Sequence, residues 1–153
     1  MFLLFFLFQQ FSGINALPYF HFSADNAVSG GQWADISGNE RHAVTSGPIQ
    51  QAFEDSRPYL HGDTGTSMTF QAPPGAYTFF HRAKYNGTNE RRIFTSTSQC
   101  NWVSGFNYGR AGVAYHNTWI TPSSDVHGTD WVVSADQYNL YRSNGVQRSY
   151  RNG

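Results

Sequence analysis

The chain is predicted to be all-β, a single sandwich of two antiparallel sheets, and three observations carry that prediction. Apolar and polar residues alternate with a period of two along most segments, without the 3.6-residue rhythm of a helix. Gly, Asn, Asp and Pro divide the segments at short intervals, and β-branched and aromatic residues fill them, the aromatic types alone making up 17% of the sequence. At 153 residues there is room for one domain with a real core, and no internal repeat or linker divides it.

In order along the chain, residues 1–8 form an unbroken apolar run, too short to span a bilayer as a helix. Together with residues 9–16 this run is predicted to be a secretory signal peptide, with the small Ala16 before the cut and Leu17 as the first mature residue. No basic residue stands near its start, which leaves a buried first strand or a misplaced gene start as alternatives. The mature domain, residues 17–153, opens with a strand over 17–23 that stops at Asp25-Asn26 and Ser29-Gly30-Gly31. Trp33-Ala34-Asp35-Ile36-Ser37-Gly38-Asn39 reads as a tight turn, because Asp, Ser and Asn side chains cap nearby amides while Trp33 anchors the loop on the core. Residues 48–56 read as irregular. Residues 57–60 and 66–70 read as two short strands around the turn His61-Gly62-Asp63-Thr64-Gly65, and Pro73-Pro74-Gly75 reverses the chain.

Residues 76–116 hold the centre of a sheet. In the first of its strands Tyr77, Phe79, His81 and Ala83 share one face, and Thr78, Phe80, Arg82 and Lys84 the other, the pattern of a sheet with one side on a core. The expected core is Tyr77, Phe79, Ile93, Phe94, Val113, Tyr115, Trp131 and Val133. Residues 117–130 form a long loop, a strand resumes over 131–135, and Asn144-Gly145 supplies the positive φ angles of a two-residue hairpin turn near the end.

Ten basic residues balance ten acidic ones and only 13% of the chain is charged, so no broad field draws it to nucleic acid or an anionic membrane. No membrane insertion is expected once the leader is removed. Cys100 is the single cysteine and cannot form an intramolecular disulfide; it reads as a small buried hydrophobe, with pairing to another chain or to a missing segment as alternatives.

A glycosidase needs two carboxylates flanking the scissile bond, yet Glu40, Glu54 and Glu90 are the only glutamates and each falls in a turn or loop context. Ser104 or Cys100 with His116 or His81 and an aspartate offers a nucleophile arrangement, but there is no Gly-x-Ser-x-Gly elbow. His81, between Phe80 and Arg82, reads as a hydrogen-bonded core histidine. No catalytic residue is therefore assigned. Asp125 and Asp130, near His127, are candidate Ca²⁺ ligands, calcium wanting several such oxygens, although two acids beside Gly128 also make a solvated turn. No His or Cys pair has the spacing of a zinc site.

Carbohydrate binding is the remaining specific chemistry. A sugar ring presents an apolar face and a rim of hydroxyls, so its site pairs exposed rings with planar Asn, Asp and Arg side chains. Asn107, Tyr108 and Arg110 in one turn, with His116 and Trp119 where the long loop starts, supply that set. Trp119 stacks on the sugar in this reading, unless it only pins its loop to the core. Asn86-Gly87-Thr88 fits the acceptor triplet for N-glycosylation at Asn86.

Trp33-x-Asp35-x-Ser37-Gly38-Asn39 with His42-Ala43, then Tyr77-Thr78-Phe79-Phe80, Arg92-Ile93-Phe94, Asn101-Trp102-x-x-Gly105-Phe106, Gly112-Val113-Ala114-Tyr115 and Leu140-Tyr141-Arg142-x-Asn144-Gly145-Val146 make a wider pattern. It resembles the concanavalin-A-like lectin/glucanase superfamily, nearest to laminin-G-like domains. The resemblance implies a jelly-roll topology and a secreted or cell-surface module for adhesion to a glycan or glycoprotein, with Asp and Asn holding Ca²⁺. A non-catalytic structural spacer of a larger extracellular protein is the alternative, and a glycoside hydrolase-like enzyme a third. The acidic Glu-x-Asp-x-x-Glu strand of the superfamily's glucanases does not occur here. Superfamily members end in strands that return beside the first one; none follows Arg151-Asn152-Gly153, so the resemblance implies a chain cut short at its C-terminus, with further domains in the longer protein.

Overall fold

The computed structural model describes residues 6–9, 18–71, 75–96, 101–121, 130–138 and 148–151. Among them there is no helix. The strands are β1 (Phe6–Gln9), β2 (Pro18–Phe22), β3 (Gln32–Trp33), β4 (Ala43–Ser46), β5 (Gln50–Glu54), β6 (Arg57–His61), β7 (Ser67–Thr69), β8 (Tyr77–Ala83), β9 (Phe94–Thr95), β10 (Trp102–Asn107), β11 (Arg110–His116), β12 (Val132–Tyr138) and β13 (Arg148–Arg151). Every pairing between them is antiparallel. The fold is all-β, as the alternation predicts. The two expected sheets resolve into four hydrogen-bonded groups, ordered β13-β12-β8-β1-β2, β11-β10-β9, β3-β4-β7 and β5-β6.

The first two groups lie face to face, in the manner of a β-sandwich. On β8 the inner residues Phe79, His81 and Ala83 are buried, and Phe79 meets the ring of Phe94 at 5.4 Å and that of Trp102 at 5.6 Å across the gap. A second aromatic column joins Phe20, Phe22 and Trp33, with centroids 5.0 and 5.1 Å apart, and Phe70 closes on Phe20 at 5.1 Å. Fully burying each such ring contributes on the order of 1.5–3 kcal/mol, so these columns are where most of the cohesion between layers resides.

Parity decides which residues face inward. Val132 sits opposite Ala83 and Ser134 opposite His81, which puts Val133 across from Arg82 on the outer face, 51% exposed. Val133 is thus not core, contrary to expectation, because the inward set of β12 is Val132, Ser134 and Asp136, out of phase with it. Trp131 packs half-buried against the edge of the core, with the Arg82 guanidinium 4.5 Å and the Lys84 ammonium 4.4 Å from its ring and its indole N–H donating to Glu54 Oε2 at 3.0 Å. Phe94 and Val113 are buried as expected, and Tyr77, Ile93 and Tyr115 are half-buried.

Residues 48–56 are not irregular, since Gln50–Glu54 pairs with Arg57–His61 around Asp55 and Ser56, both at positive φ. That hairpin is exposed on both sides at most positions of β5, so it carries no alternation to be read. The strands on either side of the turn 61–65 do not pair with each other: β6 joins β5 and β7 joins β4. Phe6–Gln9 runs between β2 and β8. Cys100, Asp125 and the Asn144-Gly145 turn lie outside the described residues.

The Trp33–Asn39 turn behaves as its composition dictates. Trp33 is buried and its indole N–H donates to the Ser23 carbonyl at 2.9 Å. Asp35 accepts from the His21 amide (2.7 Å), the Ser37 amide (2.9 Å), the Ser37 hydroxyl (2.8 Å) and the Arg41 amide (3.0 Å). Burial alone would raise its pKa, but these donors outweigh burial and hold the carboxyl below the usual carboxylate range. Asp35→Asn turns one acceptor oxygen into a donor facing other donors. We expect it to lower stability by about 1–3 kcal/mol, read as a shift of the urea midpoint; an unchanged midpoint would show that the turn is not held by this carboxylate.

Candidate binding cleft

Two loops far apart in sequence face each other across an open cleft of about 620 Å³. One wall is the β6–β7 connection with Gly62, Asp63, Thr64 and Thr66; the other is the β8–β9 connection, from Tyr85 to Arg92. Each is shaped by short-range chemistry. Asp63 Oδ1 accepts from the Gly65 amide at 2.8 Å and from the Thr66 hydroxyl at 3.3 Å, an Asx turn that fixes the first wall. In the second, the buried Tyr85 ring packs edge-on against Phe106 at 5.0 Å and its hydroxyl donates to the Arg91 carbonyl at 2.8 Å. Burial pushes the Tyr85 phenol up to about 12, so it stays a donor at any physiological pH.

The β10–β11 hairpin tip abuts this second wall. Asn107 pairs with Arg110, leaving Tyr108 and Gly109 as a two-residue turn with φ of 49° and 80°, both positive as a type I′ turn requires. The Gly109 amide donates to the Glu90 carbonyl at 2.8 Å, and a Cβ on Gly109 would stand 2.8 Å from Glu90 Oε2. Arg92 Nε donates to Asn107 Oδ1 at 3.2 Å and its terminal nitrogen to Asn101 Oδ1 at 2.8 Å. The guanidinium is thus oriented by two neutral amides. Tyr108 is 68% exposed in a backbone region that bulky side chains avoid, at a cost on the order of 1–2 kcal/mol.

The five residues expected to bind carbohydrate fall into two groups. Asn107, Tyr108 and Arg110 lie together at the hairpin tip, next to the cleft. His116 and Trp119 lie at the other end of β11, about 20 Å away at ~3.4 Å per residue. His116 is 1% exposed, its ring stacked on Trp102 at 4.9 Å and inaccessible to any ligand. Trp119 is 42% exposed and packs edge-on against Tyr115 at 5.2 Å, so it pins the start of its loop while leaving part of its ring in solvent. Of the two calcium candidates, Asp130 is exposed and Asp125 lies outside the described residues. Among the described residues no three His, Cys, Asp or Glu side chains converge as metal ligands. Asn86, the glycosylation candidate, is exposed on the cleft wall. The wall residues Asp63, Thr64, Asn89, Arg91 and Arg92 were not anticipated as site residues. Their signal in the sequence is two turn-rich stretches dense in Gly, Asn, Asp and Thr, one of them running into paired arginines.

A second constellation lies between the sheets. His81 Nε2 is 2.8 Å from Ser104 Oγ, which also hydrogen-bonds Asp136 Oδ2, and the Ser134 hydroxyl is 3.2 Å from Asp136 Oδ1. His116 Nε2 lies 3.9 Å from Asp136 Oδ2, the length of a loose ion pair. Burial holds His116 neutral down to about 3, so at neutral pH a neutral imidazole faces the carboxyl there. Burial, with a smaller contribution from His116, depresses His81 likewise to about 3. Gly105, at φ 77°, gives the His81 ring its space, since a Cβ there would collide with it. Serine stands between imidazole and carboxylate in this chain, where a nucleophile–base–orienter order puts the imidazole in the middle, and all five side chains are sealed from solvent. The grouping of Ser104, His81, His116 and an aspartate that the sequence offered is real as a contact set, and it serves to join two sheets.

No protein-family model, curated protein or solved structure matches this chain.

The buried histidines give stability a definite pH dependence. Above pH 6.5 both are neutral, folded or unfolded; below it the unfolded chain takes up protons that the folded chain refuses until about pH 3. Stability is therefore full above 6.5 and falls as pH falls through that window, by up to about 1.4 kcal/mol per pH unit for each histidine. Urea midpoints measured between about pH 6.5 and about pH 4.5, above the carboxylate range, should fall steadily, and His116→Phe should roughly halve the slope. A flat profile would contradict the burial of two neutral imidazoles.

Proposed function

We propose that the protein is a carbohydrate-binding module of the extracellular space, and that the cleft beside the β10–β11 hairpin tip is its glycan site. One observation carries the reading: Tyr108 is held, exposed and at positive φ, in a hairpin tip whose Asn107 and Gly109 bond to the second wall of a polar cleft. Strain of this kind persists in folded proteins where the residue has work to do. An exposed ring suits the apolar face of a sugar, and the Asn, Asp, Thr and Arg side chains of the two walls suit its hydroxyls. The cleft's volume falls within the range of about 300–1,000 Å³ typical of small-ligand sites. Trp119 and His116 stand apart from it, and the site needs neither. The jelly-roll topology and the likeness to laminin-G-like domains belong to this same proposal, supported by the antiparallel sheets packed face to face and by the Trp33–Asn39 turn.

Tyr108→Asn separates binding from structure, because Asn is at home in the first position of a type I′ turn. The variant should lose binding on an immobilised glycan array while its stability holds or rises by up to about 1 kcal/mol. Binding retained by Tyr108→Asn would sink the site, and no binding by the folded wild-type chain, with calcium or with chelator, would leave the structural spacer as the better reading.

Secretion is carried by the apolar run of residues 1–8. Cleavage after Ala16 removes β1 from between β2 and β8, so the mature sheet must close that gap. Amino-terminal sequencing of secreted protein should begin at Leu17; an intact Met1 would refute the leader.

A further inference from the structure

The cleft contains its own attachment point for sugar. Asn86, Gly87 and Thr88 are all exposed, and all three line the cleft. A glycan added to Asn86 therefore starts at the cleft wall, within reach of the groups that line it. Around it, on the same wall and across the cleft, are polar groups with unused capacity. Among the described residues the Arg91 side chain makes no hydrogen bond, and Asp63 spends only Oδ1, on the Gly65 amide and the Thr66 hydroxyl. Arg92 is already oriented by Asn101 and Asn107 and retains further N–H donors.

We propose that an N-glycan on Asn86 docks into the cleft of its own chain and closes it to glycans presented from outside. The proposal rests on the reading of the cleft as a glycan site and adds its regulation. Its energetics follow from tethering. A ligand attached within the site by a short linker is present at an effective concentration on the order of millimolar, so it outcompetes a free glycan of similar affinity at any lower concentration. The glycosylated chain is then masked, and the unmodified or trimmed chain is the competent form. The same docking shields the innermost sugars of the tethered glycan from hydrolysis.

The test compares wild type and Asn86→Gln, both made in a glycosylating secretory host, by intact mass, by glycan array and by the rate at which an endoglycosidase releases the glycan from the native protein. Wild type should carry one glycan on Asn86 and bind the array at least roughly ten-fold more weakly than Asn86→Gln, and trimming it to a single sugar should restore binding. Arg91→Ala, which removes a cleft donor that makes no hydrogen bond among the described residues, should speed release of the native glycan roughly ten-fold, toward the rate of the denatured protein. Absence of glycan on Asn86 overturns the proposal. So does equal array binding by wild type and Asn86→Gln, and the cleft then stands as a glycan site that its own glycan does not occupy. If neither form binds the array yet the native glycan resists release until Arg91 is replaced, docking in cis holds and binding in trans fails.

Discussion

The fold turns on four polar side chains that have to be satisfied where no water reaches. His81, Ser104, Ser134 and Asp136 sit between the sheets, and a buried polar group left without a partner costs about 1–3 kcal/mol. Their hydrogen bonds exist only if β8, β10 and β12 meet in one register. A slip of one residue in β12 would send Ser134 and Asp136 outward and bring Val133 in, losing the hydrogen bonds from Ser104 and Ser134 to Asp136. Gly105 is part of the same constraint, because its lack of a side chain at positive φ lets β10 come close enough for Ser104 to reach across.

The cleft inherits its geometry from that register. Once His81 is locked, the end of β8 delivers Tyr85 onto Phe106, and the Tyr85 hydroxyl fixes Arg91 through its carbonyl. Once β10 and β11 are aligned with the network, their tip reaches Glu90 and Arg92. The loops bear the polar groups and the strands decide where they stand, which is the usual division of labour between a rigid sheet and its connections.

What was legible in the sequence was whatever depends on neighbours in the chain. The alternation of Tyr77, Phe79, His81 and Ala83 set the inner face of β8 correctly, apart from Tyr77, which is only half-buried. The composition of the Trp33–Asn39 turn anticipated its Asx hydrogen bonds, and the 107–110 turn was placed where the hairpin tip lies. Contacts that join distant segments were not legible. The cleft's walls lie some twenty residues apart in sequence and never pair as strands, so no local period marks them. His116 sits at a strand end where exposure was expected, and Trp102 stacking over it reverses that. β5 is illegible for a different reason: a hairpin with most positions exposed on both faces has nothing to alternate.

In the proposed function, ligand meets the protein at the hairpin tip and the two loops beside it. Backbone amide chemical-shift mapping, with an oligosaccharide selected by array binding titrated into the isotope-labelled Asn86→Gln protein, tests it most directly. Shifts are expected to be confined to residues 62–66, 85–92 and 107–110, with the largest at Tyr108 and Gly109. Shifts centred on Trp119 and the loop that follows it, with the hairpin tip unchanged, would contradict it.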